Sequence, residues 1–185
     1  MNWSDDIDSQ NNTVESRIDY YLLIPDNDYI GIKLRNSRLE IKWRRKVNEF
    51  NSSNLTVSGF SENWLKWDWN NNQSSHTAMD HVFKKNDQNP WVKVHKKRSQ
   101  KKFNIYDNKL ISISSRELYS DFALEITELV ANNQSWWSVS LDSFSGKENP
   151  YFEQIILEYL IKLYNLSLGK ESSYGYPHWL DKVFN

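Results

Sequence analysis

From Val14 onward the chain alternates polar and apolar side chains with a two-residue period, which is the repeat of an extended strand and not of a helix. Glu15, Arg17, Asp19 and Tyr21 share one parity, while Val14, Ile18, Tyr20 and Leu22 form a largely apolar other. After the turn-forming run Pro25-Asp26-Asn27-Asp28, residues 29–45 read as a hairpin folded at Asn36 and Ser37. Its faces separate cleanly. Lys33, Arg35, Arg38, Glu40, Lys42 and Arg44 fall on one side, and Ile32, Leu34, Leu39, Ile41 and Trp43 on the other. Further strands are expected at Trp64 to Trp69, at 90–98, at 122–129 and at 136–144, with a weaker hairpin partner at 102–114. Residues 46–62 and 70–90 are rich in Asn and Ser and read as loops, with one or two helical turns between Met79 and Lys85. One long helix is expected from about Pro150 to Tyr164, where Phe152, Ile155, Ile156, Tyr159, Leu160 and Leu163 make an apolar stripe. The first 13 residues read as a disordered tail, and 14–185 as a single domain.

An ordinary half-exposed sheet would turn such polar faces to water. At least five strands here repeat the pattern, however, and a sandwich with Lys33, Arg35, Lys42, Arg44, Lys93 and Lys97 outside would present a strongly basic face with few acids to offset it. Curling the sheet into a mostly antiparallel barrel gathers these cations with Glu15, Asp19, Glu40, Glu125 and Asp142 around a charged bore and turns the aliphatic parity outward. Buried charges need partners, so such a bore implies an anionic or metallic occupant.

Composition narrows the choices. Of 185 residues 38% are hydrophobic and 15% aromatic, which argues against a disordered chain. The 23 basic and 24 acidic residues nearly cancel, so attraction to nucleic acid or an anionic membrane has no support from net charge. Absence of cysteine removes disulfides, thiolate metal sites and cysteine nucleophiles, and fits a reducing compartment. The start, MNWSDDIDSQNNT, lacks the basic and apolar regions of an export signal, and the run within 152–168 is too short and polar to span a bilayer. A cytoplasmic, non-membrane protein is expected.

Taken together, GIKLRNSRLEIKWRR, PWVKVHKKR, ALEITEL, WWSVSLDSF and SYGYPHWL resemble the triphosphate tunnel metalloenzyme superfamily, or CYTH domains, and occur in that family's order. The resemblance implies an α+β, mainly β fold: an eight-stranded antiparallel tunnel with helices packed outside. It also implies a ligand that is a phosphate-rich anion, tripolyphosphate or an organic triphosphate, hydrolysed with Mg²⁺ or Mn²⁺. By matching motif the phosphate ligands would be Lys33, Arg35, Lys42, Arg44, Lys93 and Lys97, and the metal carboxylates Glu125 and Asp142, with Glu15 and Glu40 as further candidates. Glu125 would then serve catalysis. The family's first-strand Glu-x-Glu-x-Lys stands here as Glu15-Ser-Arg17-Ile-Asp19, so a guanidinium replaces one carboxylate.

His95, between Lys93 and Lys97, is a candidate general acid or base, or one more polar strand residue. His76 and His81 have the wrong spacing for a helical metal pair, and His178 belongs to the tail motif, where it fixes the segment. Two other readings remain open. One is an anion binder without catalysis, and the other a partner-binding scaffold using Trp64, Trp67 and Trp69.

Overall fold

The computed structural model describes residues 13–36, 38–52, 57–70, 89–114, 116–144, 151, 155 and 169–184. Its strands are β1 (Thr13–Leu22), β2 (Ile30–Arg35), β3 (Arg38–Asn51), β4 (Ser58–Asn70), β5 (Trp91–Tyr106), β6 (Lys109–Ile113), β7 (Phe122–Ala131) and β8 (Gln134–Ser143). A 3-10 turn (Lys170–Ser172) leads to the helix α1 (Tyr176–Phe184). Strand pairing follows the order β4-β3-β2-β1-β5-β7-β8, with β6 on β5, and the pairs β1/β2, β2/β3, β3/β4 and β5/β6 are antiparallel. The mainly β expectation therefore holds. Among the described residues no helix is long and apolar enough to cross a membrane.

Two-residue turns set the hairpin registers. Asp107 and Asn108 (φ 47° and 57°) join β5 to β6, and Asn132 and Asn133 (φ 48° and 58°) join β7 to β8. A type I′ turn needs positive φ at both central positions, and Asn and Asp tolerate it better than other non-glycine residues. Asn36, at φ 48°, opens the β2/β3 turn where the sequence placed it.

Three element boundaries differ from expectation. Strand β3 runs to Asn51 and β4 begins at Ser58, so most of the polar stretch 46–62 is strand. The pairing continues past an irregularity between Arg44 and Lys46 to Asn51 opposite Ser58, and these backbone ladders do not require apolar side chains. Strand β5 likewise extends to Tyr106, so the hairpin partner is only β6. Helix α1 lies in the tail segment 173–184, where no helix is expected from the sequence, and Pro177 is its second residue. In the first helical turn the missing proline N–H has no partner to lose, and Trp179, Leu180 and Val183 bury one face. Of the long helix expected at 150–164, Tyr151 and Ile155 are helical and Ile155 is fully buried. The remainder of that helix, the turns at 79–85, His76, His81 and the tail 1–12 lie outside the described residues.

Contacts divide the chain into two compact units. One comprises Met1–Arg17, Lys96–Val130 and Ser135–Leu166. Among the described residues its buried apolar side chains include Phe103, Phe122, Leu124, Ile126, Leu129 and Ile155, and Asp121 accepts the Ile105 N–H (2.7 Å). The other comprises Ile18–His95, Ala131–Gln134 and Ser167–Asn185. Here the C-terminal segment packs on β1 to β4. Tyr176 stacks on Tyr21 (5.7 Å between centroids), Ser173 accepts the Phe60 N–H (2.8 Å), and a side chain on Gly31 would meet Pro177.

Candidate functional site: a charged face on strands β1 to β4

In the second unit the hairpin register stacks charged residues in rows across the strands. Tyr21, Lys33, Glu40 and Asp68 occupy one row. Gly31, Lys42 and Lys66 form the row on one side of it, and Arg35 and Arg38 pair on the other. Successive positions on one face of a strand lie about 7 Å apart, so these side chains belong to a single continuous surface.

This charged surface is covered at its centre. Asp19 is fully buried, and the side chains of Glu40 and Lys33 are 5% and 14% exposed. On the opposite parity Trp43, Leu65, Trp67 and Trp69 are exposed, and Trp43 stacks with Trp67 at 6.5 Å. Charge is thus covered around Asp19, Lys33 and Glu40 while the tryptophans of the other parity are exposed, but Arg38, Lys42, Lys66 and Asp68 of the same charged face are exposed as well.

Glu40 is the centre of the network. Lys33 Nζ donates to one of its carboxylate oxygens at 2.6 Å and Lys66 Nζ to the other at 2.9 Å. Burial by itself would raise the Glu40 pKa, but the hydrogen bonds of Lys33 and Lys66 and the charges of Lys33 and Lys42 outweigh it and hold the carboxyl at about 2. Burial pushes the Lys33 ammonium below its ordinary range, with Glu40 and Asp19 opposing the shift. Asp68 takes Arg38 (2.8 Å) and Lys66 (3.3 Å), and Asp19 accepts the Tyr21 hydroxyl (3.4 Å) and lies 3.9 Å from the Arg35 Nε.

Arg44 is on the same face with different company. Its two terminal nitrogens donate to Asp28 (2.6 Å) and Glu62 (2.8 Å), and Glu62 also accepts from the Trp64 indole (2.9 Å). Burial would lower its pKa, but the two carboxylates raise it on balance. Arg44 borders a cleft of about 370 Å³ lined also by Tyr174, His178 and Lys182, where His178 packs on Tyr174 (5.0 Å) and Lys182 lies over the same ring (4.4 Å).

Lys33, Arg35 and Lys42 therefore share one face, as the sequence implied. Arg44 joins them geometrically, with its fork already held by carboxylates. Strand β5 requires a correction: Lys93, His95 and Lys97 are exposed, and the parity that turns inward carries Val94 and Lys96. The consecutive cations Lys96, Lys97 and Arg98 put charge on both parities, so alternation could not say which side would be covered. Lys66 and Asp68 were missed, although Trp64-Leu65-Lys66-Trp67-Asp68-Trp69 shows the same alternation as β3.

The carboxylates implied as metal ligands do not fit that role as they stand. Glu40 has a lysine on each oxygen. In the first unit Glu125 accepts from Arg98 (3.0 Å) and Thr127 (3.0 Å), and Glu15 accepts from Arg98 and from Arg17 (3.3 Å). Asp142 is exposed on β8. Hard divalent cations require several oxygen donors together. Among the described residues no three His, Asp or Glu side chains are gathered in that way. Comparisons with protein-family models, with curated proteins and with solved structures gave no match.

Proposed function

We propose that the protein binds a phosphate-rich anion, tripolyphosphate or an organic triphosphate, on the charged face of β2 to β4, and that this face is part of the wall of a tunnel-like barrel. One observation carries the reading. In the three rows centred on Lys33, five cations (Lys33, Arg35, Arg38, Lys42 and Lys66) meet three carboxylates (Asp19, Glu40 and Asp68), an excess of two positive charges. Moreover Lys42 stands directly opposite Lys66 in a row that carries no acid, and Lys66 reaches Glu40 and Asp68 only in the neighbouring row. Like charges across a strand pair destabilise a sheet, and an anion bridging them would relieve that repulsion while gaining charge-assisted hydrogen bonds. The proposed activity is binding, since Glu15, Glu40 and Glu125 already carry cationic partners.

Thermal unfolding with tripolyphosphate in a chelator-containing buffer tests this. A ligand at a hundredfold its Kd stabilises by about 2.7 kcal/mol, which for a chain of this size raises Tm by roughly 5–10 °C. Lys42→Glu should abolish the rise while leaving the protein folded. No shift in the wild type at millimolar tripolyphosphate, or an equal shift in Lys42→Glu, would exclude this face as the site.

A further inference from the structure

The first unit holds a second charged cluster, and its centre is a residue that no motif reading singled out. Arg98 of β5 extends one terminal nitrogen to Glu125 Oε2 (3.0 Å) and the other to Glu15 Oε2. Those carboxylates belong to β7 and β1, the strands that adjoin β5 in the pairing order. The remaining Glu125 oxygen accepts the hydroxyl of Thr127, a residue with no exposed surface, and Arg17 adds a second guanidinium to Glu15. Among the described residues two guanidiniums and two carboxylates meet in this cluster, and their charges balance.

We infer that Arg98 does here what a divalent cation would do: it holds Glu15 and Glu125 together and balances their charge, so that these two residues form a metal-independent centre. The inference stands apart from the anion reading, because it concerns different residues and is tested with metal alone. Its chemistry is direct. A guanidinium is a planar fork that spans two carboxylates, is charged at every accessible pH and is tethered to the chain, so it cannot be removed by dilution or chelation. A divalent ion entering this neutral cluster would bring two uncompensated charges and would have to displace Arg98 from both acids. Removing the guanidinium alone leaves two carboxylates facing one arginine, and removing Arg17 as well leaves a dianionic pair with the donor chemistry that hard cations prefer.

The test is Mn²⁺ binding to the full chain, followed by titration calorimetry and by the loss of the free-ion electron paramagnetic resonance signal. Wild type should bind no stoichiometric Mn²⁺ at concentrations up to about 1 mM, within the weakest range of dedicated cation sites. The double variant Arg17→Gln/Arg98→Gln should gain one equivalent at least about tenfold tighter, together with a Mn²⁺-dependent rise in Tm. Adding Glu125→Gln should cancel the gain. Stoichiometric Mn²⁺ binding by the wild type that is lost in Glu125→Gln overturns the inference, as does a folded double variant that gains nothing. The wild-type measurement decides even where the double variant does not fold.

Discussion

Replacing Glu40 by Gln keeps the size and an acceptor oxygen but removes the negative charge between Lys33 and Lys66. With its carboxyl at about 2 against an ordinary 4.5, Glu40 stabilises the folded chain by about 3 kcal/mol at neutral pH, taking 1.36 kcal/mol per unit. Removing one member of a buried ion pair generally costs about 3–5 kcal/mol, so two routes converge on the lower end of that range. Lys66 adds little, because its side chain is 44% exposed and such pairs contribute about 1 kcal/mol or less.

The sign follows from which state binds protons more readily. Glu40 has a lower pKa folded than unfolded, so its contribution is complete above about 4.5 and disappears as pH falls toward 2. Lys33 is also lowered, which for an ammonium works the other way: its burial destabilises the fold below its folded pKa, and the loss is recovered on the alkaline side. Urea unfolding of wild type and Glu40→Gln at intervals from pH 2 to 7 measures the Glu40 contribution. The variant should lose about 3 kcal/mol at pH 7, and its stability should fall less steeply with acid. The paired change Lys33→Met/Glu40→Leu, which removes both charges, should be far milder than Glu40→Gln alone. A loss below about 1 kcal/mol in Glu40→Gln, or an unchanged acid limb, would show that the network is not the tight buried pair described here.

Two further outcomes are expected. Lys93→Glu/Lys97→Glu should change stability by no more than about 0.5 kcal/mol, because both residues are exposed, and should retain tripolyphosphate stabilisation. If that double variant abolishes the stabilisation, the anion binds on β5 instead of β2 to β4. Asn132→Ala should cost about 1–2 kcal/mol in urea unfolding, since alanine tolerates the left-handed conformation less well than asparagine and the change removes the bond from the Asn132 amide to the Val183 carbonyl (3.1 Å), whereas Asn133→Gly should be tolerated. Equal stability of Asn132→Ala and wild type would mean that the β7/β8 turn can adopt another geometry.

Much of the strand framework was legible in the sequence because side-chain period follows from backbone geometry alone. The β2/β3 hairpin, its turn at Asn36 and the grouping of Lys33, Arg35, Glu40 and Lys42 on one face required only counting residues from the turn. Alternation says which residues share a face, but not which face is covered. That decision depends on what packs against each side, and it went one way for Asp19, Lys33 and Glu40 and the other for Lys93, His95 and Lys97. The partners of the charges were equally out of reach, because ion pairing is set by strand order and register between segments far apart in the chain. Arg98, 83 residues from Glu15 and 27 from Glu125, looked like one more cation in a basic run until pairing of β5 with its neighbours brought both carboxylates to its guanidinium.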